Sequence, residues 1–126
     1  MGLGRRGEDA AADWYEERSY RVLARNWRGT DGEIDLVLRS PGDEVVFCEV
    51  KTRASGRFGT PFDAVTAAKQ RRLRHLAAEW LRRGRAGGAF DRGRAGGAFG
   101  GVRFDVAAVG PGPGGTLRVE VLEDAF

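Results

Sequence analysis

The sequence predicts a single mixed α/β domain spanning residues 1–126, ordered helix, three strands, helix, and one or two closing strands. Two segments carry apolar residues at helical spacing, and several β-branched and aromatic runs are bounded by Gly, Pro, Asp and Ser. The length of 126 residues suits one hydrophobic core. With 41% hydrophobic and 31% charged residues, the chain is too apolar to be disordered by charge and too charged for a membrane protein.

The first helix is expected over GEDAAADWYEERS, residues 7–19, where Ala11, Ala12 and Tyr15 form one stripe. Glu8 falls on that stripe at i relative to i+3, i+4 and i+7, so it can point along the buried face. It reads either as a first-turn acid complementing the helix dipole or as a functional acid. YRVLARNW (20–27) reads as a strand, TDG (30–32) as a turn, and EIDLVLRS and EVVFCEVKT as an antiparallel hairpin joined by PGD (41–43).

FGTPFDAV (58–65) is read as a loop into a second helix ending near Arg83, with its start open between Thr60–Pro61 and a cap at Thr66. Its apolar stripe is Val65, Ala68, Leu73, Leu76, Ala77 and Trp80. The octapeptide RGRAGGAF occurs at 83–90 and again at 92–99. It reads as a flexible insertion at about 84–101, dispensable to folding, or alternatively as an arginine arm that touches nucleic acid. VRFDVAAVG, the PGPGGT turn and LRVEVLEDAF supply the closing strands and tail.

No apolar run approaches the roughly 18 residues of a spanning helix, and MGLGRRGEDAAADW lacks a signal peptide's apolar stretch. The expected location is the cytoplasm, with no membrane partner. The single cysteine, Cys48, excludes an internal disulfide and a multi-cysteine zinc site, and it reads as a packing residue. His75, the one histidine, reads as a surface residue.

The net charge of +3 permits nucleic acid without requiring it. Its distribution is more specific, because KQRRLRHLAAEWLRR (69–83) concentrates Lys69, Arg71, Arg72, Arg74, Arg82 and Arg83 against Glu79. This is either a solvated face or a set of phosphate contacts. Nineteen of the 21 basic residues are arginine, which singles out Lys51 and Lys69.

The apolar run VVFC ends in Glu49 and Lys51, ionised groups whose burial costs several kcal/mol unless compensated. Side chains two apart on a strand share a face, about 6.7 Å apart, so Glu33 projects with Asp35 and Glu49 with Lys51. Hairpin pairing then sets Asp35 opposite the Glu49 end. Asp35, Glu49 and the Val50 carbonyl would offer hard oxygen ligands suited to Mg²⁺ or Mn²⁺. Such an ion would activate water for attack on a phosphodiester, with Lys51 holding the water and stabilising the transition state. The alternative is a set of ion pairs on an exposed hairpin end. Glu-x-Lys alone is a weak string; its place after VVFC and a GEIDL partner makes it more specific.

GRRGEDAAADWY, RVLARNWRGTDGEIDLV, VVFCEVKTR, FGTPFDAVTAAKQRRLRHLAAEWL and VRFDVAAV together resemble the YraN-type bacterial proteins, a group of predicted endonucleases. The resemblance covers nearly the whole chain outside the duplicated segment. It implies a restriction-endonuclease-like mixed central sheet flanked by helices, as in the PD-(D/E)xK nucleases and archaeal Holliday junction resolvases. By the same resemblance Asp35, Glu49 and Lys51 match metal-binding and catalytic positions, and Glu8 matches an acid on the first helix of the resolvases. Ile34 stands before Asp35 where the superfamily name has proline. Gln70 or Lys69 corresponds to an assisting helix position, and the residues leave that choice open. The implied activity is metal-dependent hydrolysis of DNA, including branched DNA, by a chain compatible with a homodimer. A non-catalytic nucleic-acid-binding module on the same fold is the alternative, and a protein-interaction role without nucleic acid is a third reading.

Overall fold

The structure, a computed structural model, describes residues 3–53, 65–87 and 99–126. Its elements run α1 (Leu3–Glu16), β1 (Arg21–Gly29), β2 (Gly32–Arg39), β3 (Glu44–Thr52), α2 (Ala67–Gly87), β4 (Gly101–Pro111) and β5 (Leu117–Leu122). The five strands form one sheet in the order β1-β2-β3-β4-β5. Every neighbouring pair is antiparallel except β3 and β4, which run parallel and are joined through α2. A parallel pair requires such a crossover, and the long amphipathic segment supplies it.

The element order is the one expected, with shifted boundaries. α1 begins and ends earlier than 7–19. Ser19 takes a left-handed φ of 68°, and the Tyr20 N–H donates back to the Tyr15 carbonyl at 3.1 Å. This closure satisfies a helix-end carbonyl and folds the Tyr20 ring against Tyr15, with centroids 4.8 Å apart. At the other helix Thr66 is the cap, its Oγ1 accepting the Lys69 N–H at 3.2 Å. The alternative start at Thr60–Pro61 lies outside the described residues. α2 continues past Arg83 to Gly87, into the segment read as an insertion.

The sheet is covered on both faces. On one side Ala11, Ala12 and Tyr15 of α1 pack against Leu36, Val46 and Ala107. On the other, Leu76, Ala77 and Trp80 of α2 pack against Val37, Phe47 and Phe104. Leu73 is also buried, but Ala68 is exposed, contrary to the expected stripe. The sheet-facing positions follow the series 69, 73, 76 and 80 at i, i+4, i+7 and i+11, so the first-turn residue turned toward the sheet is Lys69.

The end of the duplicated segment is not loose. Phe99 is partly buried against the α2-side core, 6.3 Å from the Trp80 ring and beneath the Arg39 guanidinium at 4.2 Å. The rest of the repeat, 88–98, lies outside the described residues. Among the described residues no helix is long and apolar enough to cross a membrane.

Candidate functional site

The β2–β3 ladder pairs Leu36 with Cys48, Val37 with Phe47, Leu38 with Val46 and Arg39 with Val45. One step further in that register would oppose Asp35 and Glu49, as the hairpin reading expects. The backbone ladder stops short of it, and Asp35 Oδ2 instead accepts the Val50 N–H at 2.8 Å. The N–H and C=O of one strand residue face the same neighbour. The Val50 carbonyl is therefore directed toward β2 as well, past the last pair of that ladder.

Strict alternation fails at this point. Ile34 belongs to the α2-side core and Leu36 to the α1-side core, although they are two residues apart. The strand turns about its axis across Asp35, and β1 turns with it at Asn26, which has a φ of 49°. This separates Glu33 from Asp35, correcting the expectation that they project together. Glu33 pairs with Arg28 at 3.2 Å on the surface, while Asp35 is aimed laterally at β3.

Burial is the main reason the Asp35 carboxyl is pushed up to about 7; the Glu49 charge adds to it, the Val50 hydrogen bond opposes it, and Glu8 and Glu33 add smaller repulsions. Glu8 thus reaches the site electrostatically from α1. The approach depends on Gly7, where a Cβ would lie 1.9 Å from Thr52 Cγ2 at the end of β3. No sequence signal marked that glycine.

Glu49 Oε1 holds two ammonium groups, Lys51 Nζ at 3.3 Å and Lys69 Nζ at 3.4 Å. Lys69 reaches it because it heads the sheet-facing stripe of α2. Gln70 turns away, donating to the Val65 carbonyl at 3.2 Å. Of the two helix candidates, the structure brings Lys69 to the acids. Contact with Lys51, followed by burial, lowers the Lys69 amine below the ordinary lysine range. Burial acts to lower Lys51 too, but its contacts with Lys69 and Glu49 outweigh this and raise it.

The other basic residues of α2 diverge. Arg72 lies beside the β1–β2 turn, with its Cδ 3.7 Å from the position of a Cβ on Gly32. Arg74 sits over the Phe104 ring at 4.9 Å and the Phe126 ring at 5.5 Å. Arg71 and His75 are exposed. Cys48 is fully buried, its thiol pushed up chiefly by burial, in keeping with a packing residue.

Behind the site lies a polar network that the sequence reading missed. Asp105 is fully buried. It accepts from Arg103 Nε and Nη2 at 2.9 Å each, from Tyr15 OH at 2.8 Å and from the Asp124 N–H at 3.1 Å. Tyr15 also contacts Cys48 Sγ at 3.4 Å, tying the network to the residue before Glu49. The available signals were a tyrosine on the apolar stripe of α1 and an Arg-x-Asp pair on a strand.

Two carboxylates and a backbone carbonyl from adjacent strands suit a hard cation such as Mg²⁺, which takes few protein ligands and keeps several waters. Among the described residues no group of three or more His, Cys, Asp or Glu side chains is arranged to hold a metal. Asp35, Glu49 and the Val50 backbone are the oxygen donors that the ends of β2 and β3 bring together.

The profile described as "Uncharacterised protein family UPF0102" matches residues 7–109, from Gly7 through all of β3 and most of β4. A UPF0102 protein of Symbiobacterium thermophilum is 46% identical over 124 residues, 98% of this chain and 95% of its own length. One from Rhodococcus opacus is 43% identical over 126 residues, 100% of this chain and 97% of its own length. One from Frankia alni is 44% identical over 124 residues, covering 98% and 93%.

Proposed function

The chain belongs to the uncharacterised protein family UPF0102, and from the geometry of its site we propose a metal-dependent endonuclease that hydrolyses phosphodiester bonds in DNA, with branched, Holliday-junction-like DNA among the substrates to be tested. The observation that carries this reading is the convergence of Asp35 and Glu49, from neighbouring strands, at a point reached by Lys51 and Lys69. The element order, with a parallel β3-α2-β4 crossover behind the acids, supports the PD-(D/E)xK assignment.

In this reading Asp35, Glu49 and the Val50 carbonyl would hold one or two Mg²⁺ or Mn²⁺ ions. Such an ion, when bound, would supply positive charge and a more acidic water. Lys51 orients that water and offsets charge developing on phosphorus-bound oxygens. Glu8 adds a carboxylate from α1. Lys69, Arg71, Arg72 and Arg74 supply sequence-independent phosphate contacts along α2.

A second reading, a non-catalytic nucleic-acid-binding module, draws support from Glu49, whose charge is already met by two lysines. Incubating the purified protein with linear, flapped and four-way-junction DNA in Mg²⁺, Mn²⁺ or EDTA separates the two. Nicks that form only with a divalent ion, and vanish in Glu49→Gln, are the expected outcome. Tight binding with no cleavage of any form in either ion would favour the binding module.

A further inference from the structure

Among the described residues β5 has one strand neighbour, β4. The phase of that ladder fixes which β5 peptides it leaves out. The Arg53 N–H donates to the Val109 carbonyl at 3.0 Å, so Val109 turns its peptide groups toward β3 and not toward its β5 partner, Val119. Val119 therefore turns its own N–H and C=O away from β4. The turn sets the same phase, because the Gly112 N–H donates to the Thr116 carbonyl at 2.8 Å. Gly110 with Arg118 and Ala108 with Glu120 are then the hydrogen-bonded pairs, and Leu117, Val119 and Val121 direct their peptide groups outward.

That edge lacks the usual guards against pairing. LRVEVL contains no proline, no register shift against β4 and no residue of positive φ. Leu117, Val119 and Val121 pack in part against the α1-side core, and the first two line, with Trp14, an open groove of about 530 Å³ beside α1. Arg118, Glu120 and Leu122 are exposed on the opposite face. The other edge of the sheet is guarded: β1 carries Arg21, Arg25 and Arg28, a register shift between Val22 and Ala24, and Asn26 at a φ of 49°.

We infer that β5 is a docking edge for a second copy of this chain, the two β5 strands pairing antiparallel about a two-fold axis at Val119. In that register Arg118 stands opposite Glu120 of the second copy, and Glu120 opposite its Arg118. Both are non-hydrogen-bonded pairs, where facing side chains stand closest. Val119 meets Val119, and Leu117 meets Val121, on the face toward α1. The outward N–H groups of each copy find the outward carbonyls of the other. The charges select this register, since moving the axis by one residue either way would set Arg118 against Arg118 or Glu120 against Glu120. The pairing stands apart from the proposed chemistry, because it uses none of Asp35, Glu49, Lys51 and Lys69.

The test is sedimentation equilibrium of the full chain. A strand-to-strand contact of this length is small, so association is followed up to about 1 mM protein. The wild type should show a reversible monomer–dimer equilibrium. Glu120→Arg alone, or Arg118→Glu alone, sets like charges opposite each other at both pairs and should weaken the dimer by at least about tenfold. An equimolar mixture of the two variants should restore it, because each like-charged strand then meets its opposite. Both side chains are more than half exposed, and thermal melts confirm folding. If a single variant fails to fold, the double reversal Arg118→Glu/Glu120→Arg replaces it, and should dimerise with itself but not with the wild type. A wild type that stays monomeric throughout the range overturns the inference and leaves the edge to a strand from a different protein. A dimer unchanged by the single reversals, or a mixture of the variants that stays monomeric, overturns it as well.

Discussion

Asp35 Oδ2 accepts the Val50 N–H at 2.8 Å, so a side chain extends the β2–β3 ladder beyond its last backbone pair, Leu36 with Cys48. The same contact holds one carboxylate against the backbone of the residue between Glu49 and Lys51. Asp35 is therefore fixed by the feature that brings the acids together.

Its ionisation has a definite consequence for stability. The Asp35 carboxyl rises from 3.8 to about 7 on folding, mainly through burial. The native state thus holds this proton more tightly than the unfolded chain, so the contribution of Asp35 to stability is largest below about pH 4 and is lost as pH rises from there to about 7. Asp35→Asn keeps an oxygen for the Val50 N–H and removes this loss. In EDTA it should match the wild type near pH 4 and exceed it at pH 8 by at most about 4 kcal/mol. Denaturant melts across that range measure the difference, and a less stable Asp35→Asn at pH 8 would refute the burial account.

Metal binding should follow the same residues. Mn²⁺ titrated by calorimetry should bind the wild type and fail to bind an Asp35→Asn, Glu49→Gln double variant. Equal heats from the two proteins would remove these carboxylates as ligands.

Gly7 sets the seat of α1. Alanine is the better helix former by about 1 kcal/mol, yet a Cβ 1.9 Å from Thr52 Cγ2 forces the helix or the end of β3 to shift. Gly7→Ala should therefore destabilise by about 1–3 kcal/mol, and the paired change Gly7→Ala, Thr52→Ser should recover much of the loss. A stabilised Gly7→Ala would show that α1 is not packed against Thr52.

Arg103 is the main partner of a fully buried Asp105. Truncating one side of a buried ion pair leaves the other uncompensated, and Arg103→Ala should cost about 3–5 kcal/mol. Chemical denaturation checks it; a cost under about 1 kcal/mol would mean that Tyr15 and the Asp124 N–H suffice.

Phe99 closes the duplicated segment on the core. Phe99→Ala should cost about 1–3 kcal/mol through lost contact with Trp80 and Arg39. A neutral result in a thermal melt would return the whole repeat to the dispensable class.

The order of elements was legible because apolar period and turn residues are local signals, and GEIDL and VVFCEVKT carry both. The register that opposes Asp35 to the Glu49 end followed from the short PGD connection. The twist across Asp35 was not legible, because it comes from Ile34 and Leu36 packing into different layers, which no two-residue pattern encodes. Gly7 and the Tyr15–Asp105–Arg103 network depend on contacts between residues far apart in sequence. Lys69 could have been preferred over Gln70 from its place in the 69, 73, 76, 80 series, had the exposed Ala68 not been assigned to the stripe.

Single-turnover cleavage of a labelled four-way DNA junction in Mg²⁺, measured beside junction affinity and thermal stability for the wild type and Lys51→Ala, tests most directly whether Asp35, Glu49 and Lys51 act as a catalytic group. Lys51 is assigned mainly to the transition state, so Lys51→Ala should lose cleavage by at least about 100-fold while junction affinity and melting temperature stay close to wild type. Metal-dependent cleavage by Lys51→Ala at the wild-type rate would contradict that assignment, as would a wild type that binds the junction and never cuts it.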